Sequence, residues 1–110
     1  MKTGFIAYHY PYAHYRDQFA RHVEGVARVF RSATGCLSAD CWLAEDGESV
    51  VSIVKMESPG ALEAAFATLR SAETREALEA EFGASPPGTV DGTNDELFVR
   101  PHVVHQIVSL

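Results

Sequence analysis

Two runs, Gly35-Cys36-Leu37-Ser38-Ala39-Asp40-Cys41-Trp42-Leu43-Ala44 and Ser49-Val50-Val51-Ser52-Ile53-Val54-Lys55-Met56-Glu57, are joined through Asp46-Gly47 and followed by Ser58-Pro59. Each run has the length of a strand, the second is rich in β-branched residues, and Asp-Gly between two such runs is a hairpin signal. This predicts strands over Cys36–Ala44 and Ser49–Glu57. On the upstream side Thr34-Gly35 closes a helix, with Gly as its left-handed cap. On the downstream side Ser58 is an N-cap and Pro59 occupies the first helical position. A hairpin held between two helices is therefore the centre of the fold.

Working outward, the preceding helix spans Tyr12 to Ala33. Tyr15, Phe19, His22, Val26, Val29, Phe30 and Ala33 fall on one face, with Arg16, Asp17, Arg21, Glu24, Arg28 and Arg31 toward the other. A strand over Thr3–Tyr10 comes before it and stops at Pro11. After Pro59, Leu62, Ala65, Phe66 and Leu69 make an apolar stripe. Ser71 then caps a short helix expected to bury Ala77, Leu78 and Phe82 and to end at Gly83. Ala84–Asp95 reads as a loop, and a last strand, Leu97–Val108, is interrupted by Pro101.

The order β-α-β-β-α-(α)-β is that of a ferredoxin-like α+β fold, with helices on one face of a four-stranded antiparallel sheet. Val50-Val51-Ser52-Ile53-Val54 and Val103-Val104-His105-Gln106-Ile107-Val108 do not alternate cleanly, so both faces of that sheet ask for burial. The expected partner is a second copy, giving a homodimer with two sheets face to face, a dimeric α+β barrel. A monomer with an unusually apolar open face is disfavoured.

The 110 residues make one domain, 1–110, and 46% hydrophobic with 22% charged content is that of an ordinary globular chain. A net charge of −6 argues against nucleic acid or an anionic membrane as partner. No apolar run reaches the roughly 18 residues of a membrane span. Met1–Tyr10 lacks a signal-peptide core, so a cytoplasmic location is expected. Cys36 and Cys41, five apart on one strand, should point to opposite faces roughly 17 Å apart. A disulfide needs Cα atoms within about 7 Å, so two free thiols are expected. Nothing has the ligand spacing of a metal site.

His9, Tyr10, Tyr12, His14 and Tyr15 crowd around Pro11 and suggest the mouth of a pocket for a planar phenolic ligand. His22, on the apolar helix face, is either a hydrogen-bonded core residue or a base. Ser52 interrupts an apolar run and needs a partner. Met56 shares its strand face and fills space. Asp40 is a base if it points inward and solvated surface if outward, the latter favoured. His102 and His105 form an HxxH spacing that on a strand sends the rings to opposite faces. Of the two, His105, between apolar neighbours, lines the pocket or the dimer interface.

Gly35–Asp40, the Asp46-Gly47 turn, Val50-Val51-Ser52, Met56-Glu57-Ser58 and Arg70–Leu78 together resemble the antibiotic biosynthesis monooxygenase family, small oxygenases of aromatic polyketide pathways. The resemblance spans roughly Gly4 to Leu78. It implies oxidation of a polyphenol by O2, either hydroxylation to a quinone or oxidative ring cleavage. It also implies no metal and no tightly bound cofactor, with reduced flavin as a co-substrate in some relatives. Ser52 and Met56 stand where quinone-forming members have Asn and Trp, Leu62 where they have Tyr, and Trp42 where they have a His, while Arg70 matches their Arg. The catalytic candidates are His9, His22, Trp42, Ser52 and Arg70. The candidate substrate contacts are Tyr10, Tyr12, His14, Tyr15, Met56, Phe66 and His105. Two alternatives share the fold: a non-catalytic protein binding an aromatic metabolite, and a haem-binding or haem-degrading protein.

Overall fold

In the computed structural model, which describes residues 1–110, the chain runs β1 (Thr3–His9), α1 (Ala13–Ser32), β2 (Cys36–Leu43), β3 (Val50–Met56), α2 (Pro59–Arg70), α3 (Ala72–Phe82) and β4 (Val103–Val108). The four strands form one antiparallel sheet in the order β2-β3-β1-β4, the ferredoxin-like arrangement. The helices pack on β1, β2 and β3 from one side. No helix is long and apolar enough to cross a membrane.

Local chemistry accounts for the joints. At the β2–β3 hairpin the Asp46 carboxylate accepts from the backbone N–H groups of Glu48 at 2.8 Å and Ser49 at 3.3 Å, and Gly47 takes φ +74°. Ser58 Oγ caps α2 by accepting from Ala61 N at 3.1 Å. Ser71 ends α2 and starts α3: its Oγ donates to Thr68 O at 2.7 Å and accepts from Thr74 N at 3.3 Å. Gly25, in mid-α1, is required by a close approach, because a Cβ there would strike the Phe82 ring.

Two apolar clusters hold the helices to the sheet. One gathers Ala27, Phe30, Ala39, Val54, Met56, Leu62 and Ala65; the other gathers Tyr15, Phe19, Val23, Val50 and Phe98. The buried stripe of α1 is thus Tyr15-Phe19-Val23-Ala27-Phe30, with His22, Val26 and Val29 at its margins.

Three sequence-based expectations change. The last strand begins at Val103 rather than Leu97. Phe98 swings into the second cluster and bridges to Pro11, and Tyr12 N donates to Leu97 O at 2.8 Å, so this segment closes the β1–α1 junction. Cys36 and Cys41 share the helix side of the sheet. A bulge between Cys36 and Ser38 inserts one residue, so Cys36 pairs with Met56 and Cys41 with Ser52. Both thiols are free. Finally, α3 buries no residue fully: Leu78 and Phe82 are half-buried and Ala77 is exposed.

Candidate functional site

Period-two alternation sends Phe5, Ala7 and His9 of β1 toward the helices, opposite Val54, Ser52 and Val50 of β3. Gln106 and Val104 of β4 lie beside Phe5 and Ala7 on the same side. Since the helices cover β1 to β3, space is left above the β1–β4 edge. The segment from Gly83 to Thr93 arches over it. The result is a cavity of about 1000 Å³ between sheet, α1, α2 and this segment.

The wall at one end is aromatic. Phe5 stacks on Phe66 at 5.5 Å, and Phe30 meets Phe5 and Phe66 edge-on at 5.7 Å and 5.4 Å. The Arg70 guanidinium lies 5.9 Å from the Phe66 ring centroid. Ser52 has a soft partner, the Cys41 sulfur at 3.9 Å, and burial pushes the Cys41 thiol pKa up.

His9 is the polar centre of the cavity. It is 8% exposed and tilted against Phe19 at 5.0 Å. Its Nε2 lies 3.3 Å from the Val90 carbonyl, which only accepts, so Nε2 carries the proton. Nδ1 is then a bare lone pair, and it is buried with no hydrogen-bond partner. Burial, against a partial offset from the Val90 bond and with a small push from His102, lowers the His9 pKa to about 4. At neutral pH the ring is uncharged and Nδ1 is free to accept a hydrogen bond. His22, on α1, also lines the cavity; burial lowers its pKa and its ring meets Phe82 edge-on at 6.5 Å.

Of the sequence-derived candidates, His9, His22, Ser52, Arg70 and Phe66 come together in this one cavity. The others lie elsewhere. Trp42 is 60% exposed and pairs with Val51 on the opposite face of the sheet. His105 is also on that face, edge-on to Tyr8 at 6.2 Å, because its partner on β1 is Ile6. Met56 is fully buried in the core. Tyr15 packs edge-on against Phe98 at 5.7 Å inside the second cluster. Tyr10 lies beneath the Arg100 guanidinium at 3.8 Å, and Tyr12 stacks on His14 at 5.9 Å in solvent. Tyr10 and Tyr15 are therefore occupied with the 97–100 segment and Tyr12 and His14 with each other, and His9 alone of the five reaches the cavity. Asp40 is exposed.

His102, Gln106 and Val90 also line the cavity; from sequence His102 was weighed only as half of the HxxH spacing, and the other two were not singled out. The HxxH spacing held the signal for His102, since it places that ring on the side opposite His105. Val90 had none, because a loop carbonyl leaves no trace in residue type. No group of three His, Cys, Asp or Glu is placed to hold a metal ion.

No family model and no curated protein matches the chain. Solved structures do, over almost its whole length. Rv0793 from Mycobacterium tuberculosis is 22% identical with a TM-score of 0.70, covering 100% of this chain and 96% of its own. A protein from Nitrosomonas europaea, named as a candidate antibiotic biosynthesis monooxygenase, is 11% identical with a TM-score of 0.69, covering 99% of this chain and 90% of its own. One from Chloroflexus aurantiacus J-10-fl with the same name is 16% identical with a TM-score of 0.65, covering 100% and 94%. At these identities the likeness establishes the fold.

Proposed function

We propose that the chain is a small oxygenase of the antibiotic biosynthesis monooxygenase kind, oxidising a phenolic intermediate of aromatic polyketide biosynthesis with O2. The observation that carries this reading is His9, which lines a cavity with an aromatic wall and whose buried Nδ1 has no partner. A buried acceptor without a partner is costly, and a ligand hydroxyl would satisfy it.

The chemistry asks little of the protein. A phenol that donates to His9 Nδ1 gives up its proton as it ionises, and the phenolate is electron-rich enough to reduce O2. The desolvated imidazolium is unstable alone, yet beside the phenolate the opposite charges offset the burial. Phe5, Phe30 and Phe66 hold the ring plane, Arg70 offers a cation to the developing anion, and the 83–93 segment keeps water out. For oxidation of a ring methylene to a carbonyl the balance closes without external electrons. One oxygen atom enters the ring carbon, and the other leaves as water with the two methylene hydrogens. Ring cleavage that inserts one oxygen and releases the other as water takes two further electrons, for which reduced flavin is the co-substrate.

The same proposal includes a homodimer. Ile6, Tyr8, Trp42, Val51, Ile53, Val103 and Ile107 share the face the helices leave open, and a second sheet would cover them. The test is O2 uptake with an anthrone-type substrate, with and without reduced flavin, by wild type and His9→Gln. Turnover that His9→Gln slows by about 10²-fold or more supports the proposal. Tight binding with no turnover under either condition defeats it and leaves a ligand-binding protein.

A further inference from the structure

His9 offers a lone pair at Nδ1 only while its proton stays on Nε2, and one contact holds it there, the Val90 carbonyl at 3.3 Å. That carbonyl belongs to no helix or strand. It is carried by the stretch between α3 and β4. Val90 is itself 76% exposed, so what it brings to His9 is its backbone. The conformation of the loop, rather than the side chain of Val90, decides where the carbonyl points.

The loop is tied to itself around Thr89, the residue before Val90. Thr89 is polar and lies outside any helix or strand, yet it is only 2% exposed. Its Oγ1 donates to Pro86 O at 2.6 Å and closes the Pro86–Thr89 turn. Pro87 and Gly88 fill the inner positions, Gly88 at φ +77°, as a type II turn asks. Asn94 braces the same turn: its Nδ2 donates to Pro87 O at 2.9 Å and its N to Gly88 O at 3.2 Å. Two further bonds reach the sheet side. One is Val90 O on His9; the other is Asp91 O, which accepts from His102 N at 2.9 Å.

We propose that Thr89 is a positioning residue for His9: by closing the Pro86–Thr89 turn it holds the Val90 carbonyl on Nε2, which keeps the proton off Nδ1 and water off the ring. Its part in catalysis rests on His9 being the base. Thr89 acts through Val90 and not on the substrate. With the turn released, both ring nitrogens compete for the proton and water reaches the imidazole. The titratable neighbours in the cavity are His22 on α1, Asp91 on the loop and His102 before β4. A change at Thr89 alters the charge of none of them.

Two substitutions separate the hydroxyl from the volume around it. Thr89→Val keeps the shape and removes the donor, whereas Thr89→Ser keeps the donor and removes a methyl group. ¹⁵N NMR of labelled histidines, with His9 assigned by its loss in His9→Gln, reads which nitrogen carries the proton and where the ring titrates. Wild type and Thr89→Ser should carry it on Nε2 and titrate at about 4. In Thr89→Val a population protonated on Nδ1 should appear, and hydration should raise the midpoint by about one unit or more toward 6.5. With an anthrone-type substrate, kcat should fall about tenfold in Thr89→Val with KM little changed, and recover in Thr89→Ser. Should Thr89→Val fail to fold, Thr89→Ala takes its place in the comparison. A donor-less variant whose His9 matches wild type in tautomer or midpoint overturns the proposal, and so does a Thr89→Ser variant that behaves like Thr89→Val. The NMR readouts need no turnover. If wild type oxidises nothing, the oxygenase reading has failed, and Thr89 is still judged by the proton on His9.

Discussion

The sheet turns Phe5, Ala7 and His9 of β1 to the helices and Gly4, Ile6 and Tyr8 to the other side. On the helix side, apolar groups are already satisfied by two packed clusters, and the unmet demand is polar: the buried His9 Nδ1 and the Arg16 Nε on α1 have no partner, and of these only His9 lines the cavity. On the open side the demand is apolar. Trp42 is 60% exposed beside half-buried Ile6 and Ile53. The two deficits call for different partners. A lone pair out of reach of water asks for a small hydroxyl-bearing molecule, whereas a wide apolar surface in water asks for protein.

The comparison is sharpened first by removing packing from the helix side. Phe30 is 2% exposed and touches both Phe5 and Phe66, so Phe30→Ala should cost about 3–5 kcal/mol in denaturant unfolding. His9→Gln keeps most of the volume and removes the base. Turnover should fall by about 10²- to 10⁴-fold while circular dichroism stays native.

Acid probes the same residue without a mutation. The folded chain holds the His9 pKa at about 4 against 6.5 for a free ring. The unfolded chain therefore binds a proton that the folded chain refuses as pH drops below 6.5. Stability should decline from pH 6.5 to about 4 and then level, with His9 contributing up to about 3 kcal/mol. The lowered His22 pKa acts in the same direction. Denaturant midpoints across this range should show a flatter profile in His9→Gln than in wild type.

The open side should respond in association rather than in folding. Ile53→Lys places a charge at the middle of the apolar face. It should weaken self-association by about 2 kcal/mol or more, read by light scattering against concentration, with the subunit still folded. An unchanged wild-type monomer at high concentration would break the comparison on this side. The smallest effect is expected for Trp42→Ala at dilutions where the protein is monomeric, within about 0.5 kcal/mol of wild type. A loss of turnover in that variant as large as that of His9→Gln would mean the open face takes part in the chemistry.

Much of this was legible along the chain. Asp46-Gly47 announces its hairpin, Ser58-Pro59 and Ser71 announce their helices, and Tyr15, Phe19 and Phe30 mark the buried side of α1. The candidate site was legible only in pieces. His9, His22, Ser52, Arg70 and Phe66 were found one by one, but Trp42 and His105 were grouped with them and lie across the sheet. His102 was passed over although its neighbour in the same spacing was chosen.

Hairpins, caps, helix stripes and two-sided apolar strands are written locally, because turn chemistry, capping and side-chain periodicity act over a few residues. Which face of each strand looks into the cavity is decided elsewhere. A one-residue bulge at Leu37 puts Cys36 and Cys41 on the same side, and the pairing of Ile6 with His105 sends that ring away from His9. Period two makes every such choice binary, so a single residue of register exchanges the cavity for the open face. The state of His9 is settled the same way, by a loop carbonyl some eighty positions along the chain that fixes its proton and leaves its other nitrogen free.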